Sequence, residues 1–306
     1  MKSAFNRSVL IGAAILAVIF VIGLAAPFLG TRDPAQIDPI SRNKRPGAVR
    51  ILTGADGRQT STTYWMGTDS LGRDIYSRVL YGARVSMLVG ISVALISMAS
   101  GLVIGLLAGY LRWLDGFVMR IMDGLMAVPA ILLAITLVSL SAAGLRAVII
   151  AIVIPEVPRV VRLVRSVVLS IREEPYVEAA TALGARTVPL LVRHVLPNAL
   201  APLIVQATYV CASAIVIEAI LSFLGVGIPP QTPTWGNIMA EGRALFRVLP
   251  HNILFPSIFL AATVLAVNIM GDGLRDGLDP RLQDRRSPRQ LLRTISAANA
   301  SSASQS

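Results

Sequence analysis

Long apolar blocks, separated by short charged segments, set the pattern of this chain. A helix crosses roughly 30 Å of hydrocarbon with about 20 apolar residues, so windows without charge are the informative unit. Five stand out: Ser8 to Thr31, Val85 to Leu111, Gly124 to Leu145, His194 to Ile217 and Val248 to Gly271. A sixth, Ala147 to Pro155, is shorter. It continues through Glu156 into Val160, Val161 and Leu163, with Arg159, Arg162 and Arg165 able to extend toward the interface at its end. The pattern predicts an all-α polytopic membrane protein with six transmembrane helices, one within residues 1–30 and the others near 85–111, 118–141, 146–166, 199–222 and 253–273. The stretch Ala219 to Ala240 also lacks charge, but Gly225-Val-Gly227 and Pro229-Pro230 make it a loop after its first residues.

Three other segments complete the plan. Residues 31–84 form an extracytoplasmic insert, and Pro34, Pro39, Pro46, Gly47, Gly54 and Gly57 predict an extended, turn-rich course. Residues 85–275 are the core of five helices, with a cytoplasmic loop at 171–198. Residues 276–306 are a cytoplasmic tail whose Ser, Ala, Asn and Gln end is too polar to fold. The first window is read as a span and not a cleaved leader, since the apolar run Val9 to Leu29 is longer than a leader's core and Pro27 would follow the cleavage point. With the N-terminus inside, Lys2, Arg7, Arg112, Arg120, Arg159, Arg162, Arg165, Arg172, Arg186, Arg193 and the arginines from Arg275 onward face the cytoplasm. The nine basic residues of the insert fall outside, as long loops translocate largely regardless of charge. Both termini are therefore placed in the cytoplasm.

Composition narrows the chemistry. At 54% hydrophobic and 15% charged residues, with mean hydropathy +0.68, the chain does not suit a soluble domain. Its net charge of +11 is dispersed between apolar blocks without an aromatic platform, so it orients the chain in a lipid membrane and does not imply nucleic acid. Cys211 is the only cysteine and His194 and His251 lie far apart, which disfavours a metal site. Lys2 and Lys44 are the only lysines, and neither ends a phosphate-cradling GxxxxGK[ST] loop, so this chain does not hydrolyse ATP by that chemistry. No catalytic residue and no bound cofactor is expected.

Acids within spans are costly and point to function. Glu156, between Pro155 and Pro158, and Glu218 are the candidates for a translocation path or a partner contact. Asp123 and Asp272 are expected to pair with Arg120 and Arg275, three residues away on their own helices. Trp235 and Phe246 are expected to anchor the outer interface. His194 is expected to make a hydrogen bond at the start of the fifth helix.

The cytoplasmic loop is the most specific segment. In Glu173-Glu-Pro-Tyr-Val-Glu178-Ala179-Ala180-Thr-Ala-Leu-Gly184, Pro175 sits at the first helical position, acids populate the first turn, and Gly184 is placed for a left-handed cap. Val177, Ala180 and Leu183 form a narrow apolar stripe. A short helix with small residues and Glu on its polar face suits a groove on another protein better than a membrane surface.

This segment resembles the EAA loop of ABC-transporter permeases at Glu178, Ala179, Ala180, Gly184, Leu196 and Pro197, with His194 where that family's pattern has Ile. Gly67-Thr-Asp-Ser-Leu-Gly-Arg-Asp through Arg84, Leu221 through Asn237, and Asn268 through Arg281 are similar to the dipeptide, oligopeptide and nickel permeases of the C type. The resemblance implies a type I importer permease that forms half of a path for peptides or a similar small solute. It implies a second homologous permease, two P-loop ATPase subunits that hold ATP and Mg, and an extracytoplasmic substrate-binding protein, in the bacterial inner membrane. The EAA helix would be the coupling helix that docks in the ATPase. Nickel chelates and glutathione remain alternative cargo, and an ion-coupled transporter built around Glu156 remains a further reading.

Overall fold

The first apolar run folds as α1 (Arg7–Ala25), and the chain turns at Pro27, whose fixed φ suits a single tight helical turn over Ala26–Phe28. The structure, a computed structural model, describes residues 7–53, 59–142, 144–184, 187–190, 193 and 195–278. The polar tail beyond Leu278 and His194 lie outside them.

The insert is not merely extended. It holds an antiparallel pair, β1 (Ala48–Thr53) and β2 (Gln59–Tyr64), with Ala48 opposite Tyr64 and Thr53 opposite Gln59. In β2 Thr62 and Tyr64 turn inward while Ser61 and Thr63 face out, and its run of Thr with a Tyr was the sequence signal.

Helix α2 (Ile75–Tyr110) starts at Ile75, inside the expected insert, and not at residue 85. Asp74 caps it, accepting from the Ser77 N–H at 3.0 Å. The charge that had bounded the apolar window, Arg84, donates from Nη2 to the Leu24 carbonyl of α1 at 2.8 Å and so stays within the helix at little cost.

The third expected span, 118–141, is broken. Helices α3 (Arg112–Ala127) and α4 (Ala130–Ser139) meet at 88°. Pro129 has no N–H to continue a helix and pushes Val128 into an extended conformation.

Helix α5 (Leu145–Arg172) carries Pro155 and Pro158 internally and is followed by two short helices, α6 (Pro175–Ala182) and α7 (Thr187–Leu190). Then come α8 (Leu196–Phe223), α9 (Trp235–Gly242) and α10 (His251–Leu278). By length and composition four helices can cross a membrane, namely α1, α2, α8 and α10, or five if the bent α3–α4 pair counts as one span. The expectation of six uniform spans is corrected to that extent, because α5 is long enough but holds too many charges.

Helix α5 nevertheless lies at the centre. Gly101, Gly105 and Gly109 of α2 recur every four residues and face Val160, Val164 and Val168 of α5, at the same spacing. All three valines are buried, and Val148 and Ile152 extend the same core toward the other end of α5. Small residues on one helix let the backbones approach closely, which is how helices associate where water exclusion is absent.

Ion pairs tie α3 to α5. Asp115 grips Arg165 in a two-pronged pair, with Nη2 to Oδ2 at 2.7 Å. Asp123 binds Arg162 at 2.6 Å and not Arg120 on its own helix, so the expected local pair is replaced by an interhelical one.

Candidate functional site

A groove with a few polar side chains in a mainly apolar lining runs along α8. Pro202, Gln206, Tyr209, Ser213, Val216 and Ile220 recur every three or four residues and share one helix face. That face opens into two cavities of about 470 and 490 Å³ which meet at Tyr209. Between them they follow about 27 Å of helix at 1.5 Å per residue. The larger is closed on one side by Pro129 and Ile131, so the α3–α4 bend supplies part of its wall. The other is lined by Leu163, Gln206 and Arg275.

Arg159 enters the larger cavity from the middle of α5. One turn before it, Glu156 accepts from Arg159 Nη1 at 3.3 Å through each carboxylate oxygen, and its Oε1 accepts from the Ser213 hydroxyl at 2.9 Å. The two side chains differ sharply in exposure, 48% for Arg159 and 1% for Glu156. Glu156, expected on a path, therefore reaches the cavity only through its partners Arg159 and Ser213.

Tyr209 donates to Asp272 at 2.6 Å, which corrects the expected Asp272–Arg275 pair. Glu218, the other expected path residue, lines neither cavity. It is buried between α2 and α8, accepting from Ser222 at 2.8 Å and Ser86 at 3.3 Å.

The cytoplasmic helix α6 forms where its caps predicted. The Glu174 carbonyl accepts from the Val177 N–H at 2.9 Å, and Gly184 closes the segment at φ +82°. The ends of the expected stripe differ: Val177 is buried in a core cluster shared with α5 and α8, while Leu183 is 90% exposed, and the Ala180 side chain lies outside what the structure describes. Glu178, Ala179 and Ala180 lie on this helix, and Leu196 and Pro197 open α8.

A third cluster was not legible from spacing. Arg73 Nε donates to Asp69 at 2.7 Å, and its Nη2 also pairs with Glu241 of α9. Arg78 reaches Glu241 and the Asn237 side chain, each at 3.3 Å. Trp235 is fully buried and donates to the Val79 carbonyl at 3.1 Å, so it locks α9 to α2 and does not anchor an interface. Phe246 is half exposed. Nearby, burial pushes the Asp74 carboxyl above its ordinary range, against the pull of its hydrogen bonds from Ser77. Among the described residues no three His, Cys, Asp or Glu side chains stand together in a way that would hold a metal ion.

Residues 101–284 match the family of binding-protein-dependent transport system inner membrane components. The chain belongs to that family. The permease is 50% identical over 278 residues to a probable peptide ABC transporter permease, y4tQ, of Sinorhizobium fredii, covering 91% of this chain and 90% of the relative. It is 39% identical over 279 residues to the dipeptide transport system permease DppC of Alkalihalophilus pseudofirmus, covering 91% and 87%. Among solved structures, a chain of the inward-facing MetNI methionine ABC transporter superposes with a TM-score of 0.50 at 21% identity, covering 63% of the permease and 94% of that chain. The last likeness establishes the type I importer permease fold, and the apolar helices make the permease a multi-pass membrane protein.

Proposed function

We propose that this permease is one half of the translocation path of an ATP-driven importer of peptides, working with a second permease chain, two ATPase subunits that bind ATP and Mg, and an extracytoplasmic binding protein. The observation that carries the reading is its 50% identity, over nine-tenths of both chains, to a relative named for peptide transport. The α8 groove supports it, because a continuous, partly polar face nearly as long as the membrane is thick is what a path between two chains requires. In this reading the permease performs no chemistry of its own.

Helix α6 couples it to the ATPases. One end of its stripe, Val177, sits in the core cluster shared with α5 and α8, and the other, Leu183, projects into solvent. A partner that grips the projecting end would move the core directly. Nucleotide shifts the path between inward and outward access only if it binds one arrangement better than the other. The orientation that follows puts α6 and both termini in the cytoplasm.

The test is assembly and uptake. Native permease, co-expressed with its partners, retains ATPase subunits through purification and drives ATP-dependent uptake of a labelled dipeptide. Leu183→Asp removes the projecting apolar contact without touching a span, and should lose ATPase subunits or uncouple hydrolysis from uptake. Uptake that survives ATP depletion but collapses with the ion gradient would sink the importer reading.

A further inference from the structure

We propose that Arg159, expected from the sequence at the cytoplasmic flank but placed in the middle of α5, receives the carboxylate of the transported solute in the larger cavity. The inference rests on the importer reading and names a contact within it. An ionisable side chain in the middle of a long apolar bundle is costly and needs both a partner and a reason. Glu156 is the partner, but it uses only Nη1, and among the described residues no other hydrogen bond is made by Arg159. A guanidinium carries five donors in a planar fork that matches a carboxylate, so most of that capacity points at the cavity.

The asymmetry of the pair carries the argument. A purely structural pair in this setting would be expected to shield both ends, whereas here the acid is sealed behind α8 and the base stands half exposed in a space of about 490 Å³. Asn268 adds an amide to that space, whereas the hydroxyl protons of Ser213 and Tyr209 are already given to Glu156 and Asp272, and no acid lines it directly. An arriving carboxylate therefore meets the remaining guanidinium donors of Arg159 and the Asn268 amide, with Glu156 the nearest acid and held on the far side of the guanidinium. Glu156, close behind, offsets the positive charge, which keeps the hold weak enough for release. A volume of this size suits a small solute.

The experiment uses the whole complex in membrane vesicles, with Cys211→Ser and Val216→Cys making position 216 the only cysteine of this chain. Labelling of the permease by an anionic and by a cationic methanethiosulfonate is read by mass. The anionic reagent should react preferentially, and the anion-to-cation rate ratio should fall about tenfold in Arg159→Gln, as expected for loss of a focused local charge. Glu156→Gln combined with Arg159→Gln, which leaves no unpaired buried acid, should show a smaller fall in the same direction. A dipeptide with a free carboxylate should slow labelling, and its C-terminal amide should not. A ratio unchanged by either replacement, or no labelling at position 216 in any nucleotide state, overturns the proposal. So does loss of the second permease from the Arg159→Gln complex, which would assign Arg159 to the interface between chains. Failure of the importer reading is read separately, as absence of ATP-driven uptake by the native complex.

Discussion

Val164 occupies the space that a side chain on Gly105 would need: a Cβ built there falls 2.7 Å from the Val164 Cβ. Gly105→Ala should therefore cost about 1–3 kcal/mol through overpacking. Val164→Gly, which unlike alanine removes the clashing Cβ itself, should also cost, by leaving a void. Combined, the two should be more stable than the sum of the single losses by at least about 0.5 kcal/mol, because each removes the other's defect. Melting of the purified complex decides it, and simple additivity would mean that these two residues do not set the helix separation.

Asp74 gives a pH dependence with a definite sign. Burial raises its carboxyl above the ordinary range in the folded chain, so the protonated form is favoured by folding. That contribution is fully present below the ordinary carboxyl pKa and is lost as pH rises through the raised value. Asp74→Asn keeps an acceptor for the Ser77 N–H and removes the titration. The melting temperature of the variant relative to native should thus increase between about pH 4, near the unperturbed value, and neutrality. A constant difference across that range would contradict the assignment.

Glu241 is shared by two buried arginines, Arg73 and Arg78. Replacing it with Leu leaves both facing Asp69 alone and should cost about 3–5 kcal/mol, the range for breaking a buried pair from one side. Glu241→Leu with Arg73→Leu should recover part of that loss. Limited proteolysis of the extracytoplasmic segments would read both, and equal protection of the single variant and the native chain would show the network to be dispensable.

Gly184 has φ +82° and open space around its missing Cβ, so the demand at this position is backbone conformation alone. Asn tolerates that conformation and Val does not. Gly184→Asn should keep peptide-stimulated ATP hydrolysis near native, whereas Gly184→Val should reduce it severalfold with the spans intact. Equal loss in both would point to the size of the side chain in a docked complex.

What the sequence reveals depends on how local each cause is. Helices α1, α2, α8 and α10 are legible because their environment is lipid, which demands only the absence of charge. Helix α6 is legible because Pro175 and Gly184 act on their immediate neighbours. The α3–α4 bend lies at a visible Val128-Pro129, but a window that counts charge carries no information about direction. Asp123 with Arg162, Arg73 with Glu241, and Trp235 with Val79 are partnerships across the fold, and helical spacing offered Asp123 only a neighbour on its own turn. The α8 groove was half visible: Glu156 drew attention to the right turn of α5, while the exposed member of the pair is Arg159.

Helix α5 carries Arg146, Glu156, Arg159, Arg162, Arg165 and Arg172 along 28 residues. A translocon that sorts segments by apolarity, charging about 2.5–3.5 kcal/mol for an arginine at a helix centre, would pass such a segment over on its own. Its anchors are the glycine face of α2 and the acids of α3, both synthesised earlier. The order of the genes' codons is then also an order of assembly: α2 and α3 enter first and recruit α5 sideways. A substitution on the α2 glycines would be felt at the ribosome, as a segment left in the wrong compartment, before it was felt in any finished transporter.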